Sequence, residues 1–348
     1  MSRDACDERA CGRRNGISGW SVADAALEAG HRVAIFTRGQ TVNRTVGAGF
    51  ETIVGDRHHD LSALRGRSFD LVVDTCAFAP DAVASLLDAL SPTIGRYALV
   101  SSASVYANFA KPGLTEQAPT SRATPEQLDL ARTLPSERRS SAASYGTAYG
   151  PLKRECELVA LDRLADRALI LRSGLLVGAG DYTDRLTYWV RRVDQGGPVP
   201  APGDPQRLVQ LIDVRDAARF IVEGAEKGLG GVFNLTGCPL PMSELLDSCR
   251  HVAGSGVRFV WCPDEAILAA GLEPWSEVPL WLPHSDEPFR HFLEIDTEKA
   301  LAHGLRTRPL AETLENILAW DRTRRAMPLK AGMPPEKEAA LLAADLAV

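Results

Sequence analysis

Residues 96–106 read RYALVSSASVY, and the reading of that stretch decides the fold. Tyr97, Ala98, Leu99 and Val100 form a short continuous apolar run, the mark of a strand buried on both faces of a parallel sheet. Working outward, the same unit recurs. His31–Phe36 and Glu51–Val54 read as strands, and Asp70–Thr75 is a third around Leu71, Val72 and Val73. Helical spacing marks Ser21–Ala29, which stops at Gly30, and Asp81–Leu90. Beyond the quoted stretch comes a helix from Tyr149 to Ala165, then a strand at Ala168–Leu171. Further strands are expected at Val209–Ile212, Val232–Leu235 and Val257–Trp261. Helices are expected at Tyr182–Val193, Val214–Ala225, Met242–Ala253 and Leu310–Arg324, with a surface helix over Pro335–Leu346. Short buried strands alternating with helices predict an α/β fold with a doubly wound parallel sheet. Two stretches break the rhythm. Residues 107–148 are rich in Pro, Ser, Thr and Arg and read as a long functional loop or mobile segment. Gly196–Pro205 reads as a Pro/Gly loop.

Composition bounds the function classes. The 348 residues are 45% hydrophobic and 24% charged, an ordinary globular balance that excludes a disordered, collagenous or coiled-coil chain. No apolar run reaches the roughly 18 residues of a membrane span, so no membrane partner is expected. The formal net charge is −6 and there is no basic block, which argues against nucleic acid as a partner. The seven cysteines are odd in number and form no Cys-x-x-Cys pair, so a reducing cytoplasm suits them better than a disulfide scaffold or structural zinc. His58 and His59, with Asp56 and Asp60, have poor ligand spacing, and no metal is expected. No Gly-x-Ser-x-Gly hydrolase elbow occurs.

Three signals carry chemistry, in chain order. A glycine turn at Gly16 and Gly19 opens the first clear helix, where backbone amides can meet a pyrophosphate. Ser102 stands at the end of a buried strand, and the carboxyl ends of such strands face the ligand crevice. Tyr149-Gly-Pro-Leu-Lys153 places a phenol and an ammonium on one helical face. A nearby ammonium is expected to lower the tyrosine pKa and fit Tyr149 for proton transfer. Tyr145, one turn earlier, competes for that role. Arg38 follows the strand ending at Phe36, where an arginine suits a 2′-phosphate and hence NADP over NAD.

Together these motifs resemble the extended short-chain dehydrogenase/reductase family of the NAD-dependent epimerase/dehydratase type. Thr37-Arg-Gly39, Gly55-Asp-Arg57, Val209–Asp216 and Val232–Gly237 are also similar to it, so the likeness runs from about Gly16 to Arg324. The resemblance implies a Rossmann-type dinucleotide-binding domain over 16–180 and a smaller, interleaved substrate lobe over 181–325, with an irregular leader at 1–15 and a tail at 326–348. It implies Ser102 as the hydroxyl that orients the substrate, Tyr149 as acid/base, and Lys153 as the residue that holds the nicotinamide ribose. It implies Asp56 and the Thr75-Cys76-Ala77 loop as adenosine contacts. It also implies a small-molecule substrate and a homodimer. The function expected is NADP-dependent oxidation or reduction of an alcohol or carbonyl. A nucleotide-sugar epimerase or dehydratase with bound NAD is the alternative, although Ala103-Ser104 follows Ser102 where a dehydratase has Asp-Glu. A non-redox cyclase, isomerase or binding protein on the same scaffold is a further reading.

The sequence departs from the family at its start. The first central strand falls on CDERACG at residues 6–12, which is not an apolar run, and Arg13 replaces the first glycine of the turn. Either the N-terminus as given is not the functional one, or ordinary dinucleotide binding has been lost. Ser173 replaces the usual proline after Arg172. Trp189, Trp261, Trp275 and Trp281 are read as core and lid packing or a substrate wall, and Arg207 as a surface residue or an anion contact.

Overall fold

The computed structural model describes residues 16–39, 49–90, 93–135, 138–139 and 141–345. The calls for a leader at 1–15, a first strand at 6–12 and Arg13 in the glycine turn lie outside the described residues.

Helix α1 (Gly16–Glu28) leads into the parallel pair β1 (Val33–Thr37) and β2 (Phe50–Val54). Then follow β3 (Phe69–Asp74), α2 (Pro80–Leu90), β4 (Ile94–Ser102), α3 (Pro125–Thr133), α4 (Tyr149–Leu164) and β5 (Ala168–Ser173). The second half carries β6 (Leu175–Val177), α5 (Arg185–Asp194), β7 (Pro198–Pro202), β8 (Leu208–Val209), β9 (Leu211–Asp213), α6 (Val214–Glu226) and β10 (Gly231–Leu235). It closes with β11 (Leu240–Pro241), α7 (Met242–Ala253), β12 (Arg258–Cys262), α8 (Asp264–Ala269), α9 (Glu298–Ala302), α10 (Leu310–Thr323) and α11 (Pro335–Asp345).

The main sheet runs β10-β5-β4-β3, all parallel. Every residue of β5 is buried, as an inner parallel strand requires. Helix layers cover both faces. On one, Val22 of α1 and Ala217, Phe220 and Ile221 of α6 pack on Val100, Leu169 and Leu171, with Leu71 and Val73 at the margin. On the other, α2 and α4 supply Val83, Leu87, Cys156 and Ala160 against Tyr97, Leu99 and Ile170. Ala34 and Phe36 of β1 join that second layer beside Val72 of β3. Yet β1 pairs only with β2, and β3 only with β4, so each has one edge without a strand partner among the described residues. Their burial reflects it: apart from Thr37 and Asp74 at their ends, no residue of β1 or β3 is fully buried.

Four expectations are corrected. The 107–148 stretch contains α3, started by Thr124, whose hydroxyl accepts from the Gln127 amide while Gln127 answers on the Thr124 N–H. The Gly196–Pro205 loop contains β7, which pairs in parallel with β12 despite its three prolines. The helix expected from Tyr182 begins at Arg185, because Asp184 sits in the left-handed region at φ 58°. The tail helix expected on the surface is packed instead: Met333 and Leu341 join the core around Trp189 and Trp281.

Candidate active site

The carboxyl ends of β3 and β4, the 3₁₀ turn at 103–105 and the start of α4 meet at one crevice. Ser102 ends β4 and caps that turn, its Oγ accepting from the Ser104 amide at 3.1 Å and bonding the Ser104 hydroxyl at 3.2 Å. Tyr149 is the first residue of α4. What presses the two together is Gly150. A Cβ at this position would stand 1.9 Å from the Ser104 carbonyl oxygen, so α4 reaches the turn only because the residue is glycine. The Tyr-Gly spacing carried this signal, and the sequence reading passed over it.

Burial raises the Tyr149 phenol above its ordinary value of 10, against the nearby Ser102 hydroxyl, which favours the phenolate. Lys153 is seated on backbone carbonyls. Its Nζ donates to the carbonyls of Ala77 at 2.9 Å and Val100 at 2.6 Å, and lies 5.4 Å from the centre of the Phe78 ring. The ammonium therefore ties α4 to the strand ends. Burial pulls the lysine's own pKa down. Tyr145 lies before a backbone break at Gly146, stacks on Phe78 and donates to the Arg139 carbonyl at 3.0 Å. Burial drives its pKa up to about 12, and its hydroxyl is already committed.

Two buried networks hold these elements, and the sequence reading assigned neither. Glu157 of α4, fully buried, accepts from the Ser101 hydroxyl at 2.6 Å, from Arg154 at 2.8 Å and from Arg172 at 2.9 Å. Arg172 lies over the Tyr106 ring, and Tyr106 donates to Asn234. Asp74 accepts both Arg57 nitrogens at 2.7 Å, the Tyr97 hydroxyl at 2.6 Å and the Cys76 amide at 3.0 Å. Burial opposes its ionised form, but Arg57 more than offsets this and holds the carboxyl at about 2.

The remaining residues singled out in the sequence are distributed as follows. Gly16 and Gly19 lie in the first turn of α1. Asp56 is half-buried in the loop after β2 and accepts the His58 amide. Thr75, Cys76 and Ala77 follow β3, with Ala77 fully buried. Arg38 follows β1, half-buried. Arg207 is neither a surface residue nor an anion contact: it pairs with Asp264 at 2.7 Å and donates to the Leu282 carbonyl. Trp189 and Trp281 are fully buried, while Trp275 is only half-buried and carries the Arg185 guanidinium 5.0 Å over its ring. No hydrogen-bond acceptor for Arg185 occurs among the described residues. Tyr182, 41% exposed, lies near enough to Tyr149 to feel its charge.

No protein-family model and no curated protein matches the sequence. Solved structures do match. An epimerase from Methanothermobacter thermautotrophicus superposes with a TM-score of 0.62 at 17% identity, over 89% of this chain and 90% of that one. The chain shares its Rossmann-type α/β fold with this epimerase. Two further structures of this fold were solved with NAD. UDP-glucuronic acid 4-epimerase from Bacillus cereus gives a TM-score of 0.59 at 16% identity, over 89% of this chain and 96% of that one. dTDP-glucose 4,6-dehydratase from Bacillus anthracis gives 0.59 at 14% identity, over 89% and 95%.

Whether the crevice suits a dinucleotide is decided by its own residues. Gly19 has ordinary φ, and a Cβ there would meet only Thr75 Oγ1 at 3.5 Å, so neither strain nor packing demands glycine; close approach of a ligand would. The amides of the first turn of α1 lack helical acceptors and favour an anion. Lys153 uses two of three donors on backbone carbonyls and keeps one for a ligand hydroxyl. The residues present fit the group.

Proposed function

We propose that this chain is an NAD-dependent enzyme acting at a secondary alcohol of a nucleotide sugar, of the epimerase type. The observation that carries it is the close seating of α4, with Tyr149 at its start, on the turn that Ser102 caps at the carboxyl end of a strand of the parallel sheet. NAD in the two compared structures supports the cofactor, and Ala103-Ser104 after Ser102 supports epimerase over dehydratase. Amides at the start of α1 would hold the pyrophosphate, and the third Lys153 donor the nicotinamide ribose. When bound, NAD would supply the hydride chemistry, accepting hydride from the alcohol carbon and returning it.

The chain's residues handle the proton and the oxygen. Ser102 has a single hydroxyl proton, shared in the structure with Ser104. Turned toward substrate, it holds the reacting oxygen beside the phenol. Tyr149 takes the alcohol proton as phenolate and returns it as phenol. Glu157 and Lys153 keep α4 seated so that this distance is kept. Arg38 favours a second reading, an NADP-dependent carbonyl reductase.

The test is calorimetric titration of the full chain with NAD, NADH, NADP and NADPH, followed by a panel of UDP- and dTDP-sugars. Conversion of a nucleotide sugar with NAD, lost in Tyr149→Phe, is the expected result. Preference for NADPH that falls in Arg38→Ala would move the conclusion to the reductase. A folded protein that binds no dinucleotide refutes both.

A further inference from the structure

Arg185 is the first residue of α5. That is a poor place for a cation, because the amide end of a helix carries a partial positive charge of its own. Other arginines of low exposure are met by carboxylates: Arg57 by Asp74, Arg191 by Asp321 and Arg207 by Asp264. Arg185 has no hydrogen-bond acceptor among the described residues, and its guanidinium lies 5.0 Å over the Trp275 ring. The acids beside it in sequence are committed elsewhere. Asp181 accepts from Thr183 on both oxygens, and Asp184 holds Arg324 and the Lys330 amide. Burial pulls the Arg185 guanidinium below its ordinary value, against the weaker pull of Asp181 and Tyr182.

The backbone on both sides of this stack is strained, and it is held. Asp184 stands at φ 58° and Trp275 at φ 66°, left-handed positions that non-glycine residues seldom adopt. The C-terminal tail fixes both. Arg324 and the Lys330 amide bind Asp184, and the Gly332 amide donates at 2.9 Å to the carbonyl of Ser276, next to Trp275. Phe292 meets the Trp275 ring edge-on at 5.4 Å. Strain maintained by surrounding contacts marks a group that is being positioned. Tyr182 connects this group to the crevice, since it feels the charge of both Arg185 and Tyr149.

We propose that Arg185 binds a carboxylate of the substrate, so that the sugar this chain prefers is a uronic acid. The proposal rests on the nucleotide-sugar reading given above. With one face on Trp275, the guanidinium keeps its edge for a planar anion with two oxygens. One cation without a counter-charge matches one carboxylate. Its place beside Tyr182 puts that carboxylate near the reacting alcohol, and away from the nucleotide end of the substrate.

The experiment is calorimetric titration of the full chain, with NAD present, by UDP-glucuronic acid and by UDP-glucose, beside turnover of each. The wild-type chain should bind the acid at least about tenfold more tightly. Arg185→Ala should reduce that preference to about twofold or less, and Arg185→Lys, which keeps the charge without the forked edge, should retain only part of it. A thermal melt checks the fold of each variant. Should Arg185→Ala not fold, Arg185→Lys carries the test, because its preference must also fall. No preference in the wild type, or a preference that survives in the folded variants, would overturn the proposal. Turnover of UDP-glucose without preference for the acid leaves the epimerase reading in place and removes only this inference. A folded chain that binds neither sugar takes down both.

Discussion

Gly150→Ala is the sharpest perturbation of the site. The added Cβ would meet the Ser104 carbonyl oxygen at 1.9 Å and its carbonyl carbon at 2.8 Å, both backbone atoms. Ordinary contact needs about 3.4 Å, so α4 and the 103–105 turn must separate by about 1.5 Å. Neither side yields easily: α4 is held by the Glu157 network and by Lys153 on two carbonyls, and the turn is capped by Ser102. Overpacking costs about 1–3 kcal/mol, of which better helix propensity returns about 1. In a chain of this length a net loss of at most about 2 kcal/mol lowers Tm by only a few degrees. Catalysis is more sensitive, because a misplacement of about 1 Å can cost about 100-fold. The assay is turnover of a nucleotide sugar with NAD beside a thermal melt. We expect a loss of about 100-fold in kcat with Tm down by a few degrees. Wild-type kcat in a folded Gly150→Ala protein would refute the claim that this contact sets the Ser102–Tyr149 distance.

Other outcomes follow from the same geometry. Gly19→Ala should leave Tm unchanged, since its Cβ meets only ordinary contact, while NAD affinity in calorimetry drops; unchanged affinity would remove α1 from the cofactor site. Tyr149→Phe should cut kcat by about 100-fold or more without altering the melt, and near-normal turnover would end its role as proton carrier. Because the phenol is raised above 10, the wild-type rate of alcohol oxidation should climb with alkaline pH, where phenolate forms, while carbonyl reduction stays flat to about pH 9; a plateau for oxidation below pH 7 contradicts this. His58 is held down to about 4 by burial and by Arg57, against 6.5 when free. Between those values the unfolded chain binds the proton and the folded one does not, so stability should fall as pH drops from 6.5 to 4, and His58→Gln should flatten the slope. Glu157→Gln leaves Arg172 buried without its charge partner and should cost about 3–5 kcal/mol in urea denaturation; a loss under 1 would show that the network is dispensable.

The aromatic residues around the crevice show how differently equal sequence signals resolve. Tyr145 and Tyr149 lie one turn apart in sequence, but Gly146 at φ 51° breaks the backbone between them. One phenol then reaches Arg139 and the other faces Ser102. Arg207 and Arg185 resolve just as differently. A carboxylate on α8 claims the first, and the second lies stacked on Trp275. No local pattern contains this difference, since each partner is at least 57 residues away in the chain.

Local chemistry determined the strands, the helices and their alternation in this protein. A buried parallel strand must be continuously apolar, and a helix must present a stripe, so RYALVSSASVY and its repeats declare the sheet without help from the rest of the chain. The same locality placed Ser102 at a strand end and Tyr149 with Lys153 on one helical face. Tertiary structure decided what those groups touch. Lys153 bonds two carbonyls from different strand ends, Glu157 gathers Ser101, Arg154 and Arg172, and Gly150 admits Ser104, because packing brings distant backbone within a few ångströms.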